Sequence, residues 1–194
     1  MKNRMTWMRY VALFALIGLT FTACRMDDDN MIELLPVKVA DVPGEYTGKT
    51  VIRQDNLSKN YPISFDASAD AIVFEDFPLE QIVSSIIADP IEVKETLDAL
   101  QNVSYTMGYT AELASHEKEV LLSLEMQALQ FEMPIDGETK MVVVHFKEKG
   151  FGTYYATSMG RELYLGFEAN KIEVDGTELP TINPINFLVG GLRK

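Results

Sequence analysis

The chain has 194 residues, 17 Lys and Arg against 29 Asp and Glu, and a formal net charge of −12. That length fits one domain able to fold on its own core, and the acidic balance argues against nucleic acid or bare anionic lipid as a partner, since both are recognised mainly through Lys and Arg. Cys24 is the single cysteine, so no intrachain disulfide can staple the fold.

The first residues read as an address. Lys2, Arg4 and Arg9 come without an acid, residues 11–23 carry no charge, and small residues follow. This is the layout of a signal peptide. The apolar run falls short of the roughly 20 residues a membrane-spanning helix needs. Phe21-Thr22-Ala23-Cys24 resembles a lipobox, with Phe21 where Leu, Val or Ile is usual. The resemblance implies a bacterial lipoprotein with residues 1–23 as signal peptide, cut before Cys24 and held on the membrane by lipid on that cysteine. Two or more acyl chains anchor stably, so the folded domain needs no apolar surface of its own for this purpose. Asp27-Asp28-Asp29-Asn30 follows. Acidic runs at this place resemble those of Bacteroides-type surface lipoproteins, which implies the outer face of the outer membrane. Physically, like charges keep the tether hydrated and extended. The run lacks the alternating ligands and bend glycine of an EF-hand loop.

Cleavage would remove Lys2, Arg4 and Arg9, leaving 14 Lys and Arg against 29 acids and a net charge of −15. It would also remove Trp7, the only tryptophan, which weighs against a Trp-based sugar platform. Residues 24–43 read as an acidic tether and lead-in, ending at Pro43-Gly44. From there residues 44–194 read as a single β-rich domain. Tyr46–Arg53 is rich in Thr, Val and Ile. Tyr61, Ile63 and Phe65 alternate with polar positions, as do Ile72 and Phe74 with their neighbours. Period-two alternation predicts strands with one buried face.

The period then changes. Leu79, Ile82, Val83, Ile86 and Ile87 fall on one face of a helix, and Pro78 suits its first turn. Asp89-Pro90-Ile91-Glu92 predicts the start of a second helix, with Asp89 as cap and Val93, Leu97 and Leu100 inward. Each is too short to be stable alone, so both must dock on the sheet. Alternation resumes from Val103 to Leu113 and from Val120 to Ala128. The apolar phase then slips to Leu129, Phe131 and Met133, which predicts a bulge near Ala128. Met141–Phe146, Phe151–Thr157 and Glu162–Glu168 read as further strands. Ile172–Val174 leads into a turn at Asp175-Gly176, and Ile185–Leu192 is the last strand. Asp136-Gly137 is another turn signal.

The fold class expected is α+β, predominantly antiparallel β with about nine strands in a barrel-like or sandwich arrangement, and a two-helix insertion near residues 78–100. Gly44-Glu45-Tyr46-Thr47-Gly48-Lys49 resembles the opening strand of Bacteroides-type outer-membrane lipoproteins of unknown function, some of them calycin-like barrels. The Asp76-Phe77-Pro78-Leu79 step from strand to helix is similar to one such family. The resemblance implies a location and a barrel-like fold, and no activity.

No catalytic, cofactor or metal site stands out in the sequence. Nucleophilic catalysis needs a base beside the nucleophile, and only His116 and His145 are available. Ser115-His116-Glu117-Lys118 reads as an exposed hairpin tip, and His145 as a strand-end residue satisfied by a backbone carbonyl. Two isolated histidines without a free cysteine do not make a usual zinc site. The 29 acids could supply a glycosidase pair, but alternation places most on solvated faces. Tyr105 and Tyr109 share a face with Val103 and Met107, and they, with Tyr154, Tyr155 and Tyr164, read as core residues whose hydroxyls reach a rim, or as the lining of a ligand cavity in a barrel mouth. Three functions follow from this. The first is a non-enzymatic surface lipoprotein acting as a binding or scaffold module. The second is a barrel carrying a small apolar ligand, which needs a continuous cavity. The third is a carboxylate-dependent glycan hydrolase, which needs two facing, buried acids. The membrane, through lipid on Cys24, is the partner the sequence identifies.

Overall fold

The computed structural model describes residues 33–180 and 182–194. The expected signal peptide, Cys24 and Asp27–Asp29 lie outside the described residues. A short strand β1 (Leu34–Leu35) and one turn of 3-10 helix (Val39–Asp41) lead into the long strands β2 (Gly44–Gln54) and β3 (Leu57–Ala67), then β4 (Ala71–Phe74). Two helices follow, α1 (Glu80–Ile86) and α2 (Pro90–Ala99). The remainder is β5 (Tyr105–Leu113), β6 (Glu119–Glu125), β7 (Leu129–Ile135), β8 (Glu138–Phe146), β9 (Lys149–Thr157), β10 (Gly160–Val174), β11 (Thr177–Glu178) and β12 (Ile185–Arg193).

These strands form one antiparallel sheet rather than two stacked ones. Its order runs β9, β6, β5, β4, β3, β2, β12, β10, and β10 pairs back onto β9, so the sheet returns on itself as a ring. The pleat sends alternate residues inward: Tyr46 and Ile52 on β2, Ile63 and Phe65 on β3, Leu122 and Leu124 on β6, Leu163 and Leu165 on β10, Phe187 and Val189 on β12. β10 is long enough to serve twice. Gly160–Gly166 pairs with β9, and beyond a register shift between Ala169 and Lys171 the strand pairs with β8. The β7–β8 hairpin thus extends the sheet past the ring. Its apolar face, with Leu129, Phe131, Met133, Val142 and Val144, is buried, and α2 packs on β7.

The step after β4 fills the ring. Phe77 donates its backbone N–H to Val103 O at 2.8 Å. Its ring lies 5.1 Å from Tyr105 and 5.2 Å from Phe187, and Phe187 stacks on Phe167 at 5.1 Å. α1 follows with Ile82 and Val83 fully buried and Leu79 and Ile87 nearly so, while Ile86 is only half-buried. Pro78 lies ahead of the N-cap Leu79 rather than in the first turn. Asp89 caps α2 as expected, its carboxylate accepting from Ile91 N at 2.7 Å and Glu92 N at 3.3 Å.

The expected bulge near Ala128 is replaced by a strand break. Glu125 is the last residue of β6 to pair, with Gly108 on one side and Lys149 on the other. Both partner ladders end there, so residues 126–128 leave the ring and the phase slip falls in a connection, where no face has to be kept. With this separation, and with the two-residue strands β1 and β11, the strands among the described residues number twelve.

Candidate functional site

The end of the ring where the chain enters is built from the lead-in, the β5–β6 and β9–β10 turns, and the C-terminal residues. β1 pairs with β9 through Leu34–Thr157 and Leu35–Ala156. Val37 donates its N–H to Glu117 O at 3.0 Å. Asp41 Oδ2 accepts from Lys38 N at 2.9 Å, and Arg193 Nη1 donates to Asp41 O at 3.0 Å. Tyr46 OH donates to Val42 O at 2.5 Å from inside the ring. Between lead-in and β9–β10 turn lies an open cleft of about 320 Å³, with Leu35, Pro36 and Met159 as apolar walls and Asp41 and Arg161 as its charged groups. Just inside, the Tyr154 hydroxyl is buried and has no hydrogen-bond partner; Arg193 and Arg161 are near enough to favour its ionised form but do not complete a bond to it. Burial outweighs them and raises the Tyr154 pKa above that of a free phenol.

On the outer face of the same strands, Tyr155 and Tyr164 stack with centroids 5.7 Å apart and planes 7° apart. Both donate to Glu162 Oε2, Tyr164 at 2.6 Å and Tyr155 at 3.2 Å. Burial, ahead of the neighbouring Glu162, pushes Tyr155 up to about 12 and Tyr164 higher still. Alternation alone shows that Tyr154 and Tyr155 face opposite ways. The meeting with Glu162 depends on the β9–β10 register, which opposes Glu162 to Tyr155.

At the opposite end a polar network ties the helices to the sheet. Gln81 Nε2 donates to Gln54 Oε1 at 2.5 Å, and Gln54 Nε2 donates to Ser85 Oγ at 3.2 Å and Asn183 O at 2.9 Å. Lys59 and Glu80 form an ion pair at 2.6 Å, and that partner holds the Glu80 carboxyl below its usual value. These bonds position α1.

The residues singled out in the sequence are not brought together. His116 sits in the β5–β6 turn, where its Nδ1 accepts from Lys118 N at 3.2 Å and its Nε2 lies 3.5 Å from Glu119. His145 lies on β8, and the expectation of a backbone carbonyl fails. Its Nε2 stands 3.3 Å from Glu173 Oε1 without hydrogen-bond geometry, and Lys171 Nζ reaches the same oxygen at 2.6 Å. Tyr105 and Tyr109 behave as core residues reaching a rim, with hydroxyls donating to Gln127 O at 2.8 Å and Ser68 O at 2.6 Å. None of the acids among the described residues is buried. Among those residues no group of three or more His, Cys, Asp and Glu is arranged to hold a metal, and no helix is long and apolar enough to cross a membrane.

No curated protein and no solved structure matches the chain. A family model does match, over residues 41–174, from the last residue of the 3-10 turn to the last residue of β10. The chain therefore belongs to the family defined by that domain of unknown function, DUF4840.

Proposed function

We propose that this protein is a lipid-anchored, non-enzymatic binding or scaffold module on the outer-membrane surface. The observation that carries the non-enzymatic part is the contrast between interior and charge. The ring is filled by Phe74, Phe77, Phe167 and Phe187, while every acid among the described residues keeps contact with solvent. A glycan hydrolase would draw its general acid from a carboxyl whose pKa is raised by burial. A carrier of an apolar ligand would need the space those rings occupy. Each histidine stands beside a carboxylate. The anchor rests on the basic start, the uncharged run of residues 11–23 and the lipobox-like Phe21–Cys24, and the surface location on Asp27–Asp29.

Substituting Cys24→Ala should abolish incorporation of a tagged fatty acid and leave uncut precursor in cells. A variant that takes up label as the wild type does would remove the anchor from this reading. Deleting Asp27–Asp29 should leave labelling intact and reduce the protein's release by protease shaving of intact cells; equal release would leave the run as a spacer.

A further inference from the structure

We propose that the chain-entry end of the ring is a bilayer-contacting face, seating the Leu35–Met159–Leu192 rim in the headgroup region of a zwitterionic phospholipid surface. The proposal rests on lipid attachment at Cys24 and adds an orientation to it.

The exposed large apolar residues are unevenly placed. Met159 is 77% exposed, Leu192 48%, Val39 42% and Leu35 40%, and all four lie at the entry end. Leu35, Met159 and Leu192 are continuous with one another. Leu35 and Met159 face the same cleft, and Asp41, at the end of the turn that carries Val39, lines it too. The Leu192 side chain lies across Gly160, so close that a Cβ there would stand 2.7 Å from Leu192 Cδ1. The other exposed apolar residues, Leu57, Ile91 and Met141, sit on three different elements. Single apolar side chains on a surface need no explanation; a continuous rim at one end does.

Chain connectivity selects the occupant. Leu34 and Leu35 are pinned to β9 beside Met159, so the chain that leads back to Cys24 departs from within this rim. Nine residues, fully extended, reach at most about 30 Å. A lipid on Cys24 therefore confines the rim to a thin layer over the bilayer at high effective concentration, and a shallow apolar contact suffices to set which end faces down. Arg161 lines the cleft with an exposed side chain able to reach phosphate oxygens, while the half-buried Arg193 is held by its bond to Asp41 O. Lys38, Lys118 and Lys194 share this end with Asp41, Glu45, Glu117 and Glu119, so positive and negative charge there are close to balanced, which favours zwitterionic over anionic headgroups.

The test uses the mature lipidated protein in vesicles of phosphatidylethanolamine and phosphatidylcholine carrying nitroxide-labelled phosphatidylcholine. The sulfur of Cys24 is acylated, so a cysteine introduced as Met159→Cys is the only free thiol for a fluorophore. Ile91→Cys, on the first turn of α2, serves as the control. With apolar side chains sunk about 5–10 Å into the headgroup and acyl boundary, quenching at position 159 should exceed that at position 91 at least about threefold. Equal quenching at the two positions, in protein that still co-sediments with the vesicles, would overturn the orientation and leave the anchor standing. Protein that does not co-sediment would remove the anchor and the orientation together. A second variant, Leu35→Asp with Leu192→Asp, should keep co-sedimentation and bring quenching of the Met159→Cys label down to the control level; unchanged quenching would show that the rim does not hold the orientation.

Discussion

At the scale of single residues, the tyrosines record how closely the sheet is packed on both of its faces. All seven among the described residues are held above the ordinary phenol value of 10.0, each chiefly by burial. A raised folded value means the fold favours the neutral phenol. Their contribution to stability is therefore complete below pH 10.0 and is lost as pH rises through the folded values, about 12 in the case of Tyr155. The lipid-free domain should accordingly lose its fold in alkali, with tyrosinate absorbance rising together with loss of the β-sheet circular dichroism rather than ahead of it. Residues 33–194 contain no tryptophan, so tyrosine signals stand alone for this titration. Gradual ionisation centred on pH 10.0 with an unchanged dichroism spectrum would show that the hydroxyls are open to solvent. The sequence shows which tyrosines share a face, since alternation settles that. It does not show Glu162 shared between Tyr155 and Tyr164, or the unpartnered hydroxyl of Tyr154, because both depend on registers set by residues distant in the chain.

At the scale of elements, the helical stripe is mostly core. Ile82 and Val83 are fully buried, whereas Ile86, which sits on the same apolar face, is half-buried. The helix period gives the face but not its edge, and α1 ends at Ile86, where the backbone turns extended at Ile87. Ile82→Ala should cost roughly 2–5 kcal/mol through the lost contacts and the cavity left behind, a large part of a typical stability of 5–15 kcal/mol. Ile86→Ala should cost clearly less, as a smaller area is uncovered. Denaturant unfolding of the lipid-free domain measures both, and equal losses would mean that the two side chains are buried alike. The sheet elements follow the same pattern of legibility. Inward residues of β10 fall at Leu163, Leu165, Phe167 and Ala169 and then at Ile172, a slip visible in the sequence that reads there as a gap between two strands. The structure absorbs it as a register shift inside one strand, because β8 takes over from β9 as partner at that point. The slip after Glu125 looks the same in the sequence and ends the strand instead, because there both partner ladders stop. A phase slip is thus legible, and its resolution depends on which strands lie alongside.

At the scale of the whole molecule, ring closure is the decisive feature and the one least visible in the sequence. β12 pairs with β10 along Glu162–Ala169 and with β2 along Tyr46–Arg53, so it joins the first long strand to the last. Its seam is made of glycine. A Cβ on Gly48 would stand 2.0 Å from Gly190 O, and one on Gly191 would meet the Phe65 ring at 2.7 Å. Glycine inside a strand generally weakens it; in this fold Gly190-Gly191 lets β12 lie flush against β2 with Tyr46 and Phe65 packed beneath. The family match ends at residue 174 and so omits this strand. Without β12, the facing edges of β2 and β10 lose their backbone partners, and Ile185, Phe187 and Val189 are missing from a core in which each is buried. Unpaired backbone and an opened aromatic interior each cost more than a marginally stable domain can lose. A fragment of residues 41–174 should therefore show no cooperative denaturant transition, whereas residues 33–194 should unfold in one step. Adding a peptide of residues 177–194 in trans should restore sheet dichroism to the fragment, since an open strand slot between two edges is a template for strand addition. If the fragment instead unfolds cooperatively at the midpoint of the longer chain, the ring does not depend on β12, and the boundary of the family match marks the true edge of the folding unit.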